Sequence, residues 1–312
     1  MFGPDHFGRD GRALGDDAFL FQPNPRSLWV VTADTGAEGV HYRLDWVSPE
    51  RALRKVLLSN LSDINAMGGR ARHAFLNLGA RREWGEAVFV ELGRVLRELE
   101  AEFFFRVSGG DTIRTAGESF FAFTVLGEVS GSPLLRSGAK PGHKVFVSGA
   151  LGGSAAGLHL LKMGERPDAG EEPTKTLIRA HFDPTPPLTL GPALAALGKP
   201  IGAIDISDGL SSELWHLSRQ SGCAFYVEWS KLPVHDSLRE WNEPQAIRDF
   251  ILNGGEEYQL LFTGDFSDYE LEALRQIVSI AEIGKVEAGE GVFMKDNNGR
   301  TEPLPAGGFS HA

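Results

Sequence analysis

Four short stretches of this chain set an acidic residue beside glycine or serine. They are Gly15-Asp16-Asp17-Ala18, Ser108-Gly109-Gly110-Asp111-Thr112, Asp205-Ile206-Ser207-Asp208-Gly209 and Asn253-Gly254-Gly255-Glu256-Glu257. Asp34, ending a β-branched run, and Asp63, inside an apolar-periodic stretch, join them. Taken singly, each acid has a plain reading. Asp208 reads as a helix N-cap, Asp111 as a turn acid and Asp63 as a solvated helix residue, because Asn, Asp and Gly favour turns for local reasons. As a set they suggest other chemistry. Mg²⁺ takes hard oxygen ligands and is held by carboxylates from separate loops together with substrate phosphates. Glycines beside the acids let backbone approach a polyphosphate closely. Two carboxylates ~5 Å apart repel by roughly 3 kcal/mol at an effective dielectric of about 20. Convergence of these acids would therefore demand cations, and cations among glycines point to phosphates. The sequence by itself leaves convergence open.

Competing chemistries are absent or faint. There is no GxxxxGK[ST] loop, no HExxH and no GxSxG. Gly149 to Gly157 (GALGGSAAG) has the wrong glycine spacing for a dinucleotide loop and reads as a tight strand-to-helix turn. The single cysteine, Cys223, allows no internal disulfide and has no reactive context. His41, in EGVHYR just after Asp34, has two readings, a structural histidine or a group beside the acids.

Positioning these residues requires alternating strands and helices. Ser27 to Asp34 reads as a strand. Ser48-Pro49-Glu50 opens a helix, with Ser as N-cap and Pro at the first position. Leu53, Val56, Leu57, Leu61, Ile64 and Met67 continue it to Gly68-Gly69. Ala74 to Leu78 reads as a short strand and Glu86 to Glu102 as a helix. Phe103 to Val107 and Phe120 to Val125 read as strands flanking the GGDT turn. Gly131 to Gly142, rich in Gly, Pro and Ser, marks a boundary, which divides the chain into domains at 1–135 and 136–312. Beyond it come a strand at Lys144 to Ser148, a Gly-rich turn opening a helix, and a polar loop from Gly164 to Pro173. A strand from Pro200 to Ile206 follows, then a helix from about Gly209 to Gln220 and a GG turn between two apolar stretches at Phe250 to Phe262. This alternation predicts α/β or α+β layers.

The chain of 312 residues is comfortable for two domains, and 42% hydrophobic with 23% charged residues is an ordinary globular composition. The net charge of −11, without a Lys/Arg-rich block, argues against nucleic-acid binding. No apolar run of membrane-spanning length is present, and Met1 to Gly15 lacks a signal-peptide apolar segment. A cytoplasmic protein is the expectation.

The motifs together resemble the thiamine-monophosphate kinases of the aminoimidazole-ribonucleotide synthetase superfamily. The stretches that carry the resemblance are GDDA at 15–18, TADTGAEGVHYRLDWVSPE at 32–50, NLSDINAMGG at 60–69 and SGGDTIR at 108–114. RSGAKPGHKVFVSGALGGSAAGL at 136–158, IDISDGLSSEL at 204–214 and GGEEYQLLFT at 254–263 complete them. They follow the family's order over nearly the whole chain.

The resemblance implies two domains: an N-terminal mixed or antiparallel sheet that pairs across a homodimer, and a C-terminal α/β sandwich. It implies several Mg²⁺ ions, with ATP and thiamine phosphate as substrates. Asp17, Thr32, Asp34, Asp63, Asp111, Asp205 and Asp208 would bind magnesium. Gly110, Asp111, Arg136 and Ser207 would bind ATP, and His41, Glu256 and Phe309 would lie near thiamine phosphate.

The chain departs from the family in a short Gly-rich segment before GDDA, in Ala33, and in GGEEYQL where GGEDYEL is usual. Selenophosphate synthetases need a reactive Cys near the N-terminus and the hydrogenase-maturation relatives end in one; neither is found here. In-line transfer between two phosphates requires no general base and no covalent nucleophile. The alternatives are another ATP-using enzyme of the superfamily or a non-catalytic member that binds a nucleotide or thiamine phosphate.

Overall fold

The structure is a computed structural model that describes residues 16–24, 27–167, 171–241 and 243–308. Its N-terminal half forms a five-stranded sheet from β1 (Phe19–Asn24), β2 (Ser27–Ala37), β3 (Gly69–Arg81), β4 (Arg106–Thr115) and β5 (Phe120–Val129). The strands lie in the order β1-β2-β5-β3-β4, with β3 and β4 parallel and every other neighbour antiparallel. Two helices belong to this half, α1 (Pro49–Ala66) and α2 (Glu86–Phe103). α2 makes the crossover that a parallel β3–β4 pair requires.

The second half is a seven-stranded sheet from β6 (Lys144–Ser148), β7 (Gly202–Asp205), β8 (Cys223–Glu228), β9 (Leu260–Gly264), β10 (Ile280–Ala288), β11 (Gly291–Lys295) and β12 (Thr301–Pro303). Its order is β12-β11-β8-β10-β6-β9-β7. The helices here are α3 (Gly153–Lys162), α4 (Glu172–Phe182), α5 (Leu190–Ala196), α6 (Leu210–Ser221), α7 (Pro244–Asn253) and α8 (Asp268–Arg275). The expected mixed α/β architecture with two sheets is present. No helix among the described residues is long and apolar enough to cross a membrane.

The element that joins the halves is α1. It packs against β2, β3 and β5 of the first sheet, and also against β7, α4 and α5. One core therefore runs from Leu53, Leu57 and Ile64 through Phe121 and Phe123 to Phe146 and Phe262. Burying each such side chain contributes about 1.5–3 kcal/mol. Enclosure on both sides buries polar positions of α1 as well: Lys55, Ser59, Asn60, Ser62 and Asn65.

Several local expectations are corrected. Ser48 occupies the N-cap position with extended backbone, but its hydroxyl donates to Glu50 Oε1 at 2.5 Å and caps no N–H. The strand around Ala74 runs for 13 residues. Phe103 is the last residue of α2, and the chain turns at Phe104, which has φ 57°. The SGGDT segment is not a turn: it lies within β4, paired with β3 in the register Asn77↔Asp111. Gly110 explains why glycine is needed in that strand. Its φ is +144°, and a Cβ there would sit 1.8 Å from the Leu76 carbonyl oxygen.

Candidate active site

Three elements deliver carboxylates to one place. Asp17 follows from the GDDA segment before β1, Asp63 projects from the last turns of α1, and Asp205 ends β7. One oxygen of each lies within 4.8 Å of the others. Hydroxyl donors set their orientation: Thr32 Oγ1 donates to Asp63 Oδ2 and Ser62 Oγ to Asp205 Oδ2, both at 2.6 Å. Arg136 closes one side, with Nη2 2.8 Å from Asp17 Oδ1 and its backbone N–H 2.7 Å from Asp16 Oδ1. Asp16, Asp17, Thr32, Asp63, Arg136 and Asp205 line a cavity of about 350 Å³ with Asp34 and Ser207. Asp34 is fixed at its backbone, where its N–H donates to Asn60 Oδ1 at 3.1 Å.

The electrostatics are those of a site short of positive charge. Burial first, then the charges of Asp205, Asp34 and Asp17, pushes the Asp63 carboxyl well above the usual range. Burial and then Asp17 do the same to Asp205. Glu213, behind the cluster on α6, is raised to about 8, chiefly by burial; its Oε1 accepts the Asp208 backbone N–H at 3.0 Å. Among the described residues no ion pair joins Asp63 or Asp205 to a basic side chain, and Arg136 is engaged by Asp17. An all-oxygen carboxylate set of this spacing fits a hard divalent cation such as Mg²⁺.

A second corner adjoins the first through backbone. The Glu256 N–H donates to Ser207 O at 2.7 Å, and Tyr258 N–H to Ile206 O at 2.9 Å. Gly255 makes this contact possible, since a Cβ there would lie 2.4 Å from Ser207 O. Glu256 and Tyr258 both take left-handed backbone, with φ 61° and 51°. Glu256 pairs with Lys55, whose Nζ is 2.8 Å from Oε1. Burial alone would raise the Glu256 carboxyl, but Lys55 and then His181 hold it below its usual value. Glu257 turns the other way and accepts the N–H groups of Gly152 and Ser154 at 2.9 and 3.1 Å. The GALGGSAAG segment is thus a strand-to-helix turn whose helix N-terminus is filled by the Glu257 carboxyl group of its own chain.

Asp17, Thr32, Asp34, Asp63, Asp205, Arg136 and Ser207 share one cavity. Asp208 is not among the residues that line it, but lies within reach of the charges of Asp34 and Glu213. The N-cap of α6 is Gly209 rather than Asp208. His41 and Glu256 occupy the second corner, linked by Lys55, whose Nζ donates to the His41 carbonyl at 3.3 Å. Gly110 and Asp111 are not brought to the cluster within this chain. They are exposed on the edge strand β4, three strand positions from β2, or about 14 Å. Phe309 lies outside the described residues.

Sequence reasoning missed Lys55, Ser62, His181, Glu213 and Tyr258. The phenol of Tyr258 is raised by burial and then by Glu256, Asp34, Asp205 and Asp63, which places it among the acids. A usable signal was the run of Lys, Ser, Asn and Asp along the otherwise apolar face of α1.

Residues 15–129 match the family described as AIR synthase related protein, N-terminal domain. The thiamine-monophosphate kinase of Bacillus subtilis (strain 168) is 36% identical over 264 residues, covering 84% of this chain and 80% of that protein. The thiamine-monophosphate kinase of Pyrococcus horikoshii is 35% identical over 309 residues, covering 97% and 92%. The chain belongs to the thiamine-monophosphate kinase family. The solved structure of AaThiL complexed with AMPPCP and TMP superposes with a TM-score of 0.82 at 28% identity, over 96% of this chain and 92% of that one.

Proposed function

We propose that this protein transfers the γ-phosphoryl group of ATP to the terminal phosphate of thiamine phosphate, giving thiamine diphosphate and ADP. The observation that carries the reading is the convergence of Asp17, Asp63 and Asp205 within 4.8 Å, beside Asp34 and Arg136 in one cleft. The relatives' names, and the solved complex with an ATP analogue and TMP, support the choice of substrates. Several Mg²⁺ ions held by Asp17, Thr32, Asp34, Asp63, Asp205 and Asp208 would supply charge neutralisation for the phosphates.

The chain's own residues position the reactants. Arg136 offers a planar fork of donors to phosphate oxygens, kept in place by Asp16 and Asp17. Thr32 and Ser62 aim the Asp63 and Asp205 carboxylates into the cleft. Ser207 lies on the cavity wall, where its hydroxyl meets ATP. His41 and Glu256 would border the thiamine phosphate side; the role proposed for Phe309 near thiamine phosphate rests on the family resemblance alone. The acceptor is already an anion at neutral pH, so catalysis is alignment and charge stabilisation rather than proton removal.

Gly110 and Asp111 take part through a homodimer in which the N-terminal sheets of two protomers pair. The exposed β4 edge, with Ile113 at 51% exposure and Phe75 of the neighbouring β3 at 38%, is the surface this requires. The protein works in the cytoplasm.

A coupled assay of ADP release with thiamine phosphate and Mg²⁺ tests the reading. Turnover dependent on both supports it. ADP release that ignores thiamine phosphate, or ATP–ADP exchange in its absence, sinks direct transfer.

A further inference from the structure

We infer that Lys55 is a positioning residue that sets the thiamine phosphate side of the cleft by locking Glu256 and the His41 backbone into one arrangement; the inference rests on the function proposed above. Lys55 is buried in α1, with its side chain 3% exposed. An ammonium group has three hydrogens, and three acceptors surround this one: Glu256 Oε1 at 2.8 Å, His41 O at 3.3 Å and His181 Nε2 at 3.3 Å. For Nε2 to accept, His181 must carry its proton on Nδ1. That nitrogen faces Ser154 Oγ at 3.2 Å and Glu256 Oε2 at 3.5 Å, both able to accept it. The neutral ring this demands agrees with its surroundings, since burial and then Lys55 lower His181 to about 3.

All three ammonium hydrogens are therefore engaged inside the protein, and Lys55 acts through other groups rather than on a ligand. Those groups come from separate elements. His41 lies in the segment after β2, His181 on α4, Ser154 on α3, and Glu256 in the turn before β9. Glu256 also needs holding, because its φ of 61° is a costly conformation for a non-glycine residue. Lys55 is thus the one cation that ties an N-terminal helix to the C-terminal GGEE turn among the described residues.

The test is steady-state kinetics on the full-length enzyme carrying Lys55→Met and Lys55→Arg. Lys55→Met should raise the KM for thiamine phosphate about ten- to a hundredfold, the range of a lost charge-assisted hydrogen bond. The KM for ATP should stay within about twofold, since none of the three groups that Lys55 holds lines the acidic cavity. Lys55→Arg keeps the charge but cannot reproduce three convergent donors, so it should give a smaller rise with the same selectivity. If Lys55→Met does not fold, Lys55→Arg carries the measurement. An unchanged KM for thiamine phosphate in a folded variant, or an equal rise in both KM values, overturns the role. A wild-type enzyme that does not turn over thiamine phosphate would instead refute the proposed function.

Discussion

The two corners of the cleft handle buried charge in opposite ways. At the Asp17, Asp63 and Asp205 cluster, carboxylates face one another with hydroxyl donors and a single arginine already shared with Asp17. At the Lys55, His181 and Glu256 corner, charge is balanced within the protein and each hydrogen-bonding position has a partner. A pocket that holds unbalanced like charge is incomplete without cations, whereas a balanced one is finished by folding. The first is therefore suited to binding metal and phosphate, and the second to fixing geometry.

This difference predicts opposite signs for similar substitutions. Asp205→Asn should lower turnover by about 100-fold or more, by removing a hard charged ligand. The same change should raise the melting temperature of the metal-free protein, because it removes one of several repelling charges. In the wild type, Mg²⁺ should raise the melting temperature, and more at pH 8 than at pH 6, because ligands with raised pKa must release protons to bind it. Retained turnover, or a lower metal-free melting temperature in Asp205→Asn, would break the comparison. Glu256→Gln should do the reverse, destabilising the protein by about 3 kcal/mol in urea denaturation, since it strands the Lys55 charge. A neutral effect there would mean that the second corner is not balanced by that pair.

Gly255→Ala probes the seam between the corners. Its Cβ would meet Ser207 O at 2.4 Å and push the GGEE and DISD turns apart. A loss of about 2 kcal/mol is expected, with both KM values raised; a change in only one would place the seam elsewhere.

The smallest effect concerns Glu257, raised to about 8 from the ordinary 4.5 chiefly by burial. The folded state binds this proton more tightly than the unfolded chain, so the group's contribution is complete below about pH 4.5. It is lost as pH rises through about 8. Glu257→Gln should flatten the fall in stability across that window in thermal melts at several pH values. An unchanged slope would assign the fall to other groups.

Some of this was legible in the linear chain. Pro49, Glu50 and the apolar period locate α1, and Lys144 to Ser148 reads as β6 with its observed limits. Asp17, Asp34, Asp63 and Asp205 stood out because acids beside Gly and Ser in several segments are unusual as a set. SGGDT misread as a turn because glycine signals turns locally, while pairing with β3 holds it extended. Phe103 misread as strand because aromatic runs favour strands, while α2 absorbs it before the chain turns at Phe104. Lys55 was invisible because a lysine in an amphipathic helix ordinarily reaches solvent, and only the packing of the His41 segment, α4 and the GGEE turn around it encloses it.

What the residues determined by themselves was local: where helices start, which stretches extend, and which types of side chain were available as oxygen ligands. Tertiary structure decided which of them meet. Asp63, on a helix between two sheets, and Asp205, at the end of a strand in the second sheet, are 142 positions apart in number yet share one site. Asp111, in an equally suggestive motif, stays on a sheet edge. Local propensity acts over a few residues, whereas convergence depends on packing between distant segments, and here the burial of α1 between the sheets brings it about.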